Sequence, residues 1–482
     1  MQQDRIEGFS EALEAELKRH GISRRDALKL AGLSGAAFML NPTKSDAATK
    51  AHASSKAKGK IVIVGGGAAG CTMANYLVKK LSNPDITVIE PDPQSVSYQP
   101  GQTLIAGGVY KPEDILGETK EYLPKEAKWI QDIVVEFDPE KNQVATSKNG
   151  VISYDYLIVA VGLQLNYSDI KGVTKEMIGT NGIGSIYFKE GAKKTWQILQ
   201  EFVAKAKSGQ KVNGVFTHPG TPIKCGGAPK KIMYLTHDRL VEAKARENAT
   251  LTFYPNGGNM FGVPEYHEAI VNQYKARDMK WHYKHDLIEV DSSAKIAKFN
   301  HHYLVQGEWD EDLEEYDMIP QSEVIEIPYD FLHITPPMSA PDVVGKSLLS
   351  WQRGSAAVGG WVEVDKNTLQ HARFPNVFAL GDVAGIPMGK TGGSVRKQYT
   401  VCGDNLVAVM EGKEPKESYE GYTVCPLITG IGTVMMAEFD YTAKMTPSFP
   451  LLDPTKERWM WWFLKVYMLK PMYFHGMLKG RA

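Results

Sequence analysis

The sequence predicts an α/β protein built on two parallel-sheet units, and three observations predict it. An apolar run, residues 60–64, ends in clustered glycines and opens a helical pattern from about Ala69 to Leu81. A second apolar run, residues 85–90, closes on an acid. The same strand–helix alternation returns from residue 211. Such alternation gives parallel strands joined by crossover helices. At 482 residues, 43% of them hydrophobic, the chain is long enough for two or three domains with cores of their own. Lys+Arg number 55 and Asp+Glu 56, so no basic excess points to nucleic acid. Four cysteines (Cys71, Cys225, Cys402, Cys425) are too few for a disulfide scaffold and form no metal-ligand cluster.

The elements follow in order. Ser23-Arg24-Arg25-Asp26-Ala27-Leu28-Lys29 precedes a short apolar run, Leu30 to Leu40, and then small residues such as Asp46-Ala47-Ala48. That order marks a twin-arginine export signal, and its apolar run is too short to span a membrane. The expected location is therefore periplasmic, with peripheral attachment to the membrane. Residues 41–58 read as a linker. After the first βαβ unit, Tyr154 to Val161 is a buried strand. Val212 to Thr217 and Thr250 to Tyr254 are strands of a second unit, with a helix between them. Ile296 to Val324 reads as a polar hairpin with an acidic tip at Glu308 to Glu315, its His301 and His302 solvated. Asn376 to Leu380 is a further strand, and a long helix runs from about Gly392 to Glu411. The expected division is 1–57 signal and linker, 58–168 and 346–415 the two parts of one dinucleotide-binding domain, 169–345 an inserted Rossmann-like domain, and 416–482 a C-terminal membrane-interaction region.

The first glycine cluster carries chemistry. Gly65, Gly67 and Gly70 form G-x-G-x-x-G between a strand and a helix, and Glu90 ends the next strand. The glycines admit a pyrophosphate, the helix N-terminus faces its charge, and the acid takes a ribose hydroxyl. Three later segments select FAD rather than NAD. Residues 154–162, ending at Gly162, resemble the middle strand of two-dinucleotide-domain flavoproteins of the disulfide-oxidoreductase type. Ala379-Leu380-Gly381-Asp382 resembles their second FAD motif, whose aspartate bonds the ribityl chain. Lys390-Thr391-Gly392-Gly393 then opens a helix aimed at the flavin, where reduced flavin gathers negative charge. The second unit lacks a glycine cradle of its own. Its strand runs into His218-Pro219-Gly220-Thr221-Pro222-Ile223-Lys224-Cys225-Gly226-Gly227, with Cys225 expected at a helix start and Lys224 expected to lower its pKa.

Those residues carry a resemblance to type II sulfide:quinone oxidoreductases. Lys224-Cys225-Gly226-Gly227-Ala228-Pro229-Lys230-Lys231-Ile232-Met233-Tyr234-Leu235 is similar to that family's cysteine segment. So are His333-Ile334-Thr335-Pro336-Pro337-Met338, Gly360-Trp361-Val362-Glu363-Val364-Asp365 and Ala437-Glu438-Phe439-Asp440-Tyr441, in the same order over residues 58–475. The resemblance implies non-covalent FAD, sulfide and quinone as substrates, a persulfide-forming cysteine at Cys225, and a flavin-contacting segment at Tyr98-Gln99-Pro100. One departure stands out: Val383 occupies the place of the type II second redox cysteine. Cys425 is the expected substitute, since other members and the flavocytochrome sulfide dehydrogenases carry a cysteine beyond the long helix. Transfer to a cytochrome c, NADH oxidation, and a redox-inactive flavoprotein remain as alternatives, as does a homo-oligomer. Cys71 and Cys402 lie on apolar helix faces and read as inert.

Arg458-Trp459-Met460-Trp461-Trp462-Phe463-Leu464-Lys465-Val466-Tyr467-Met468-Leu469-Lys470 is apolar and aromatic with spaced lysines, and Pro471 is expected to break it. It is too charged to span a membrane, and Trp, Tyr and Lys favour the headgroup boundary. The segment should therefore lie amphipathically in one leaflet, where a lipid-soluble quinone is found.

Overall fold

A computed structural model describes residues 55–311 and 314–481. The arginine pair and apolar run of the expected export signal lie outside the described residues. The elements that position the site are, in chain order, β1 (Lys60–Val64), α1 (Ala68–Lys80), β2 (Asp85–Ile89), β3 (Lys128–Ile130), β4 (Tyr156–Val159), β5 (Ile183–Gly184), α2 (Lys189–Lys207), β6 (Val212–His218), α3 (Ala228–Glu242) and β7 (Ala249–Pro255). They continue with α4 (Pro264–Ala276), β8 (Lys280–Trp281), β9 (His285–Asp291), β10 (Ile296–Asp310), β11 (Glu315–Pro328), β12 (Phe331–His333), β13 (Val377–Ala379), α5 (Gly392–Met410), β14 (Thr423–Gly430), β15 (Thr433–Phe439) and α6 (Trp459–Phe463).

Two five-stranded parallel sheets form the frame. The first has the order β13-β4-β1-β2-β3, the second β5-β12-β6-β7-β8. Helices cover both faces of such sheets, so their strands read as continuous apolar runs rather than alternating ones. Ile61, Val62 and Ile63 are accordingly all fully buried. The first sheet takes β13 from far along the chain, and the second lies wholly between, at residues 183–333. This is the α/β, doubly Rossmann-like arrangement that the sequence predicts.

One expectation fails at the C-terminus. The C-terminal run does not break at Pro471. It is helical from Trp459 to Lys479, with π-turns at Leu464–Met468 and Met472–Gly476 flanking the proline. A π-turn shifts the hydrogen-bond register, so the missing proline N–H does not end the helix. Much of the run's apolar length packs inward. Trp461, Trp462, Leu464, Lys465, Tyr473 and Leu478 are buried against the protein, leaving Trp459, Tyr467 and Met468 half-exposed in a separate cluster with Phe463. Among the described residues no helix is long and apolar enough to cross a membrane. The hairpin has the expected exposed acids at its tip but carries exposed apolar side chains as well. Leu304, Trp309, Tyr316 and Met318 are exposed on it, and His301 is half-buried, its ring stacked 4.4 Å from that of His285.

Candidate active site

The carboxyl ends of the first sheet open into a cleft of about 410 Å³. Gly65, Gly67, Glu90, Gln99, Pro100, Gly162, Gly381, Asp382, Lys390 and Thr391 line it, together with Cys225 and Cys425. Gly70 stands behind that wall. A Cβ there would lie 1.8 Å from the Gly65 carbonyl oxygen, so glycine lets α1 start hard against β1. Gly65 itself sits at φ +105, a conformation that L side chains rarely adopt. The first sheet therefore ends in a phosphate cradle rather than in side chains. Glu90 accepts hydrogen bonds from the backbone N–H groups of Gly66 (2.7 Å) and Asp92 (2.8 Å), at the tip of β2 where a ribose is read. On the far wall, Thr391 caps α5 by accepting from the Ser394 N–H at 3.1 Å. Burial raises the pKa of Asp382 while Lys224 and Lys390 oppose it. Burial lowers that of Lys390 to about 8, and its ammonium sits 3.5 Å from the centre of the Trp361 ring. This donor set fits a flavin dinucleotide: a glycine cradle, a ribose acid, a half-buried aspartate, and a helix N-terminus at the inner end.

The cysteine segment, which follows a strand of the second sheet, is held by the segment that follows a strand of the first. The Cys225 N–H donates to the Lys390 carbonyl at 3.0 Å, tying the loop after β6 to the entrance of α5. Cys225 adopts φ +53, uncommon for a residue with a Cβ. It precedes the cap of α3, Gly227, by two residues rather than standing in the helix. Cys425 reaches the same place from β14. That strand approaches closely because Gly393 has no side chain: a Cβ there would lie 2.1 Å from Val424 Cγ1. Gly227 does the same from the other side, where a Cβ would lie 2.6 Å from Cys425 Sγ.

The two thiols are free and differ in character. A hydrogen bond from the Cys425 thiol holds the pKa of Cys225 well below the usual thiol range, against the cost of burial and with help from Lys231. The same hydrogen bond, then burial, pushes Cys425 well up. Lys231 Nζ donates to Cys225 Sγ at 3.2 Å. Burial disfavours that ammonium, but the two sulfurs outweigh it and hold its pKa above the ordinary value. The lysine on the thiolate is thus Lys231, not the expected Lys224. Lys224 turns away to donate to Gln99 Oε1 at 2.9 Å. The helix-start expectation for the cysteine is likewise replaced by direct contact with a cation.

Sequence reasoning missed Lys465. It is 1% exposed, it lines the cleft, and its Nζ donates to the Pro100 carbonyl at 3.3 Å. Burial and Lys231 bring its pKa down to about 7, with Cys225 and Cys425 opposing. The signal was available: Trp461, Lys465 and Leu469 recur at helical spacing, so a face with buried Trp461 carries the lysine inward. Val383 is fully buried, so the position carrying the second cysteine in the type II pattern belongs to the core here. Burial, then Glu90, pushes the Cys71 thiol up to about 12, and burial also raises that of Cys402. Both are buried on helices, Cys71 on α1 and Cys402 on α5, and neither lines the cleft.

Comparison with known proteins agrees with this geometry. Residues 59–194 match the pyridine nucleotide-disulphide oxidoreductase family. The chain is 38% identical over 421 residues to the mitochondrial sulfide:quinone oxidoreductase of Mus musculus, covering 87% of this chain and 86% of that protein. It is 37% identical over 423 residues to the mitochondrial sulfide:quinone oxidoreductase of Dictyostelium discoideum, covering 88% and 86%. The X-ray structure of the sulfide:quinone oxidoreductase from Aquifex aeolicus shares the fold, with a TM-score of 0.68 at 20% identity over 88% of this chain and 92% of that one. Two relatives above 30% identity, each aligned over nearly the whole of both chains, are decisive: this chain belongs to the sulfide:quinone oxidoreductase family.

Proposed function

We propose that the protein oxidises sulfide to persulfide or polysulfide sulfur and passes the electron pair through non-covalently bound FAD to quinone, as a type II-like member of its family. The observation that supports this most is the pairing of Cys225 and Cys425 under Lys231 at the inner end of the dinucleotide cleft. Bound FAD would accept the electron pair from the thiols and hand it to quinone. In the oxidised state the two cysteines share a disulfide or sulfur bridge. Hydrosulfide attacks the Cys425 sulfur, a sulfur–sulfur bond forms there, and the bridge breaks with its electron pair leaving on Cys225. Cys225 is the better leaving group because its thiolate is stabilised by Lys231, and the thiol of lower pKa leaves faster. Cys425 then carries the persulfide, a role that the resemblance gives to Cys225. Release of that sulfur to an acceptor nucleophile frees the Cys425 thiol.

Non-covalent attachment is supported by Tyr98-Gln99-Pro100-Gly101, which offers no cysteine where Gln99 and Pro100 line the cleft. Contact with one membrane leaflet is supported by the outward cluster of Trp459, Phe463, Tyr467 and Met468. Export to the periplasm rests on Arg24-Arg25 and the apolar run after them. The test is stopped-flow bleaching of the flavin by sulfide against NADH. Sulfide should bleach it and NADH should not. Cys225→Ser and Cys425→Ser should each abolish the sulfide response while Cys71→Ser keeps it. Bleaching by NADH alone overturns the reading. Arg24→Lys with Arg25→Lys should hold the protein in the cytoplasm, and unchanged export would remove the signal.

A further inference from the structure

The long hairpin of β10 and β11 takes no part in the chemistry above. Its base is conventional: β9 pairs with β10 as far as His301. Beyond His301, β10 pairs with β11 alone, through register pairs from His302↔Ser322 to Trp309↔Tyr316. The result is a two-stranded arm, about 25–30 Å long at roughly 3.3 Å per residue. A free two-stranded ribbon is marginal in water.

The arm is dressed for contact. Leu304 (58%), Trp309 (50%), Tyr316 (48%) and Met318 (53%) are exposed. A bulge between Gln306 and Trp309 brings Trp309 onto the face that carries Leu304 and Met318, and the Trp309 and Tyr316 rings meet at 4.9 Å. Residues 303–323 hold eight acids and no Lys or Arg. Glu308, Glu311, Glu314, Glu315 and Asp317 are all exposed. An apolar stripe bordered by acids fits a surface with apolar stems and cationic heads.

The same chain supplies one. Residues 175–211 hold seven lysines and three glutamates. Lys193 and Lys207 on α2, with Lys175 and Lys211 beside it, are exposed. Arm-on-arm pairing would oppose acids to acids, and Pro320 removes a donor from the free edge of β11. We propose that the arm is a dimerisation arm, lying across the lysine face of α2 in a second copy of this chain. A two-fold axis makes the contact reciprocal, each copy giving an arm and receiving one, so the assembly closes as a dimer.

Sedimentation velocity of the flavin-loaded protein at micromolar concentration tests this at low and high salt. The expected result is a dimer that weakens as salt rises. Trp309→Ser with Met318→Ser should weaken it at least about tenfold, the change that about 1.4 kcal/mol makes. Lys193→Glu with Lys207→Glu should weaken it too, and adding Glu315→Lys with Asp317→Lys to that variant should restore it. Flavin content and bleaching by sulfide should stay unchanged in every variant. A monomer at all concentrations, or a dimer indifferent to both sets of substitutions, overturns the proposal.

Discussion

Replacing Gly227 by alanine should disable the sulfur chemistry while leaving the fold almost intact. A Cβ at that position would lie 2.6 Å from Cys425 Sγ and 3.1 Å from Leu427 Cδ1. Non-bonded heavy atoms rest at about 3.5–4.0 Å, so the Cys425 sulfur must retreat by about 1 Å. The backbone raises no objection: Gly227 has φ −84 and ψ −13, which alanine adopts freely. Overpacking of this kind costs roughly 1–3 kcal/mol. Part is offset by about 0.4–1 kcal/mol from the stiffer unfolded chain. Stability should therefore fall by no more than about 2–3 kcal/mol. The reaction is less forgiving, because a misplacement of about 1 Å can cost about a hundredfold in rate, and a sulfur bridge needs close thiols. Stopped-flow bleaching by sulfide should slow by about a hundredfold, with FAD still bound and the thermal transition lowered by a few degrees. Bleaching at the parent rate by a flavin-loaded variant would refute the reasoning, for Cys425 would then not need the place it occupies.

Three further expectations follow from the same geometry. Lys231→Met removes a hydrogen bond to a charged sulfur worth about 1.5–3 kcal/mol, so the pKa of Cys225 should rise by about 1–2 units at about 1.36 kcal/mol per unit. The pH dependence of alkylation in the reduced protein measures it, and an unmoved pKa would show that Lys231 does not hold the thiolate. Lys465, with its pKa at about 7, is charged below that pH and neutral above it. Its support for the Cys225 thiolate is therefore present at low pH and lost as pH rises, and the bleaching rate per hydrosulfide ion should fall through a limb near pH 7 that is missing in Lys465→Met; persistence of the limb would assign it elsewhere. Trp459→Ser with Tyr467→Ser should reduce binding to lipid vesicles about tenfold without slowing bleaching by sulfide, and unaltered binding would remove the outward aromatic cluster as the contact.

Much of the site could be read from local pattern because its parts are local. The cradle of Gly65, Gly67 and Gly70 and the acid Glu90 belong to one strand–helix–strand unit, and the strand and helix pattern names them. Gly381, Asp382 and Thr391 likewise sit on one strand end and one helix start. Cys225 could be singled out because the glycine cradle expected at its turn is missing. The partner of Cys225 was of another kind. Cys425 was expected only through the family resemblance: it lies 200 positions away, and its proximity depends on β14 packing against α3 and α5 through Gly227 and Gly393, a steric fit written in no local pattern.

The lysines divide along the same line. Charge and spacing mark Lys224 as the neighbour of Cys225, yet at this turn, with Cys225 at φ +53, Lys224 reaches Gln99 and the sulfur is left to Lys231, six residues on in the first turn of α3. The C-terminal run shows the limit most clearly. Its composition suits a lipid surface and a protein interior equally, since both accept Trp, Met and Phe. Packing against the cleft buries Lys465 beside Cys225 and Cys425 and leaves Trp459, Tyr467 and Met468 facing outward. Backbone-encoded features such as glycine turns, strand runs and helix starts are thus legible along the chain, because each is specified within a few residues. Which side chains meet across 200 residues is not, because that depends on how two sheets and a terminal helix close on one another.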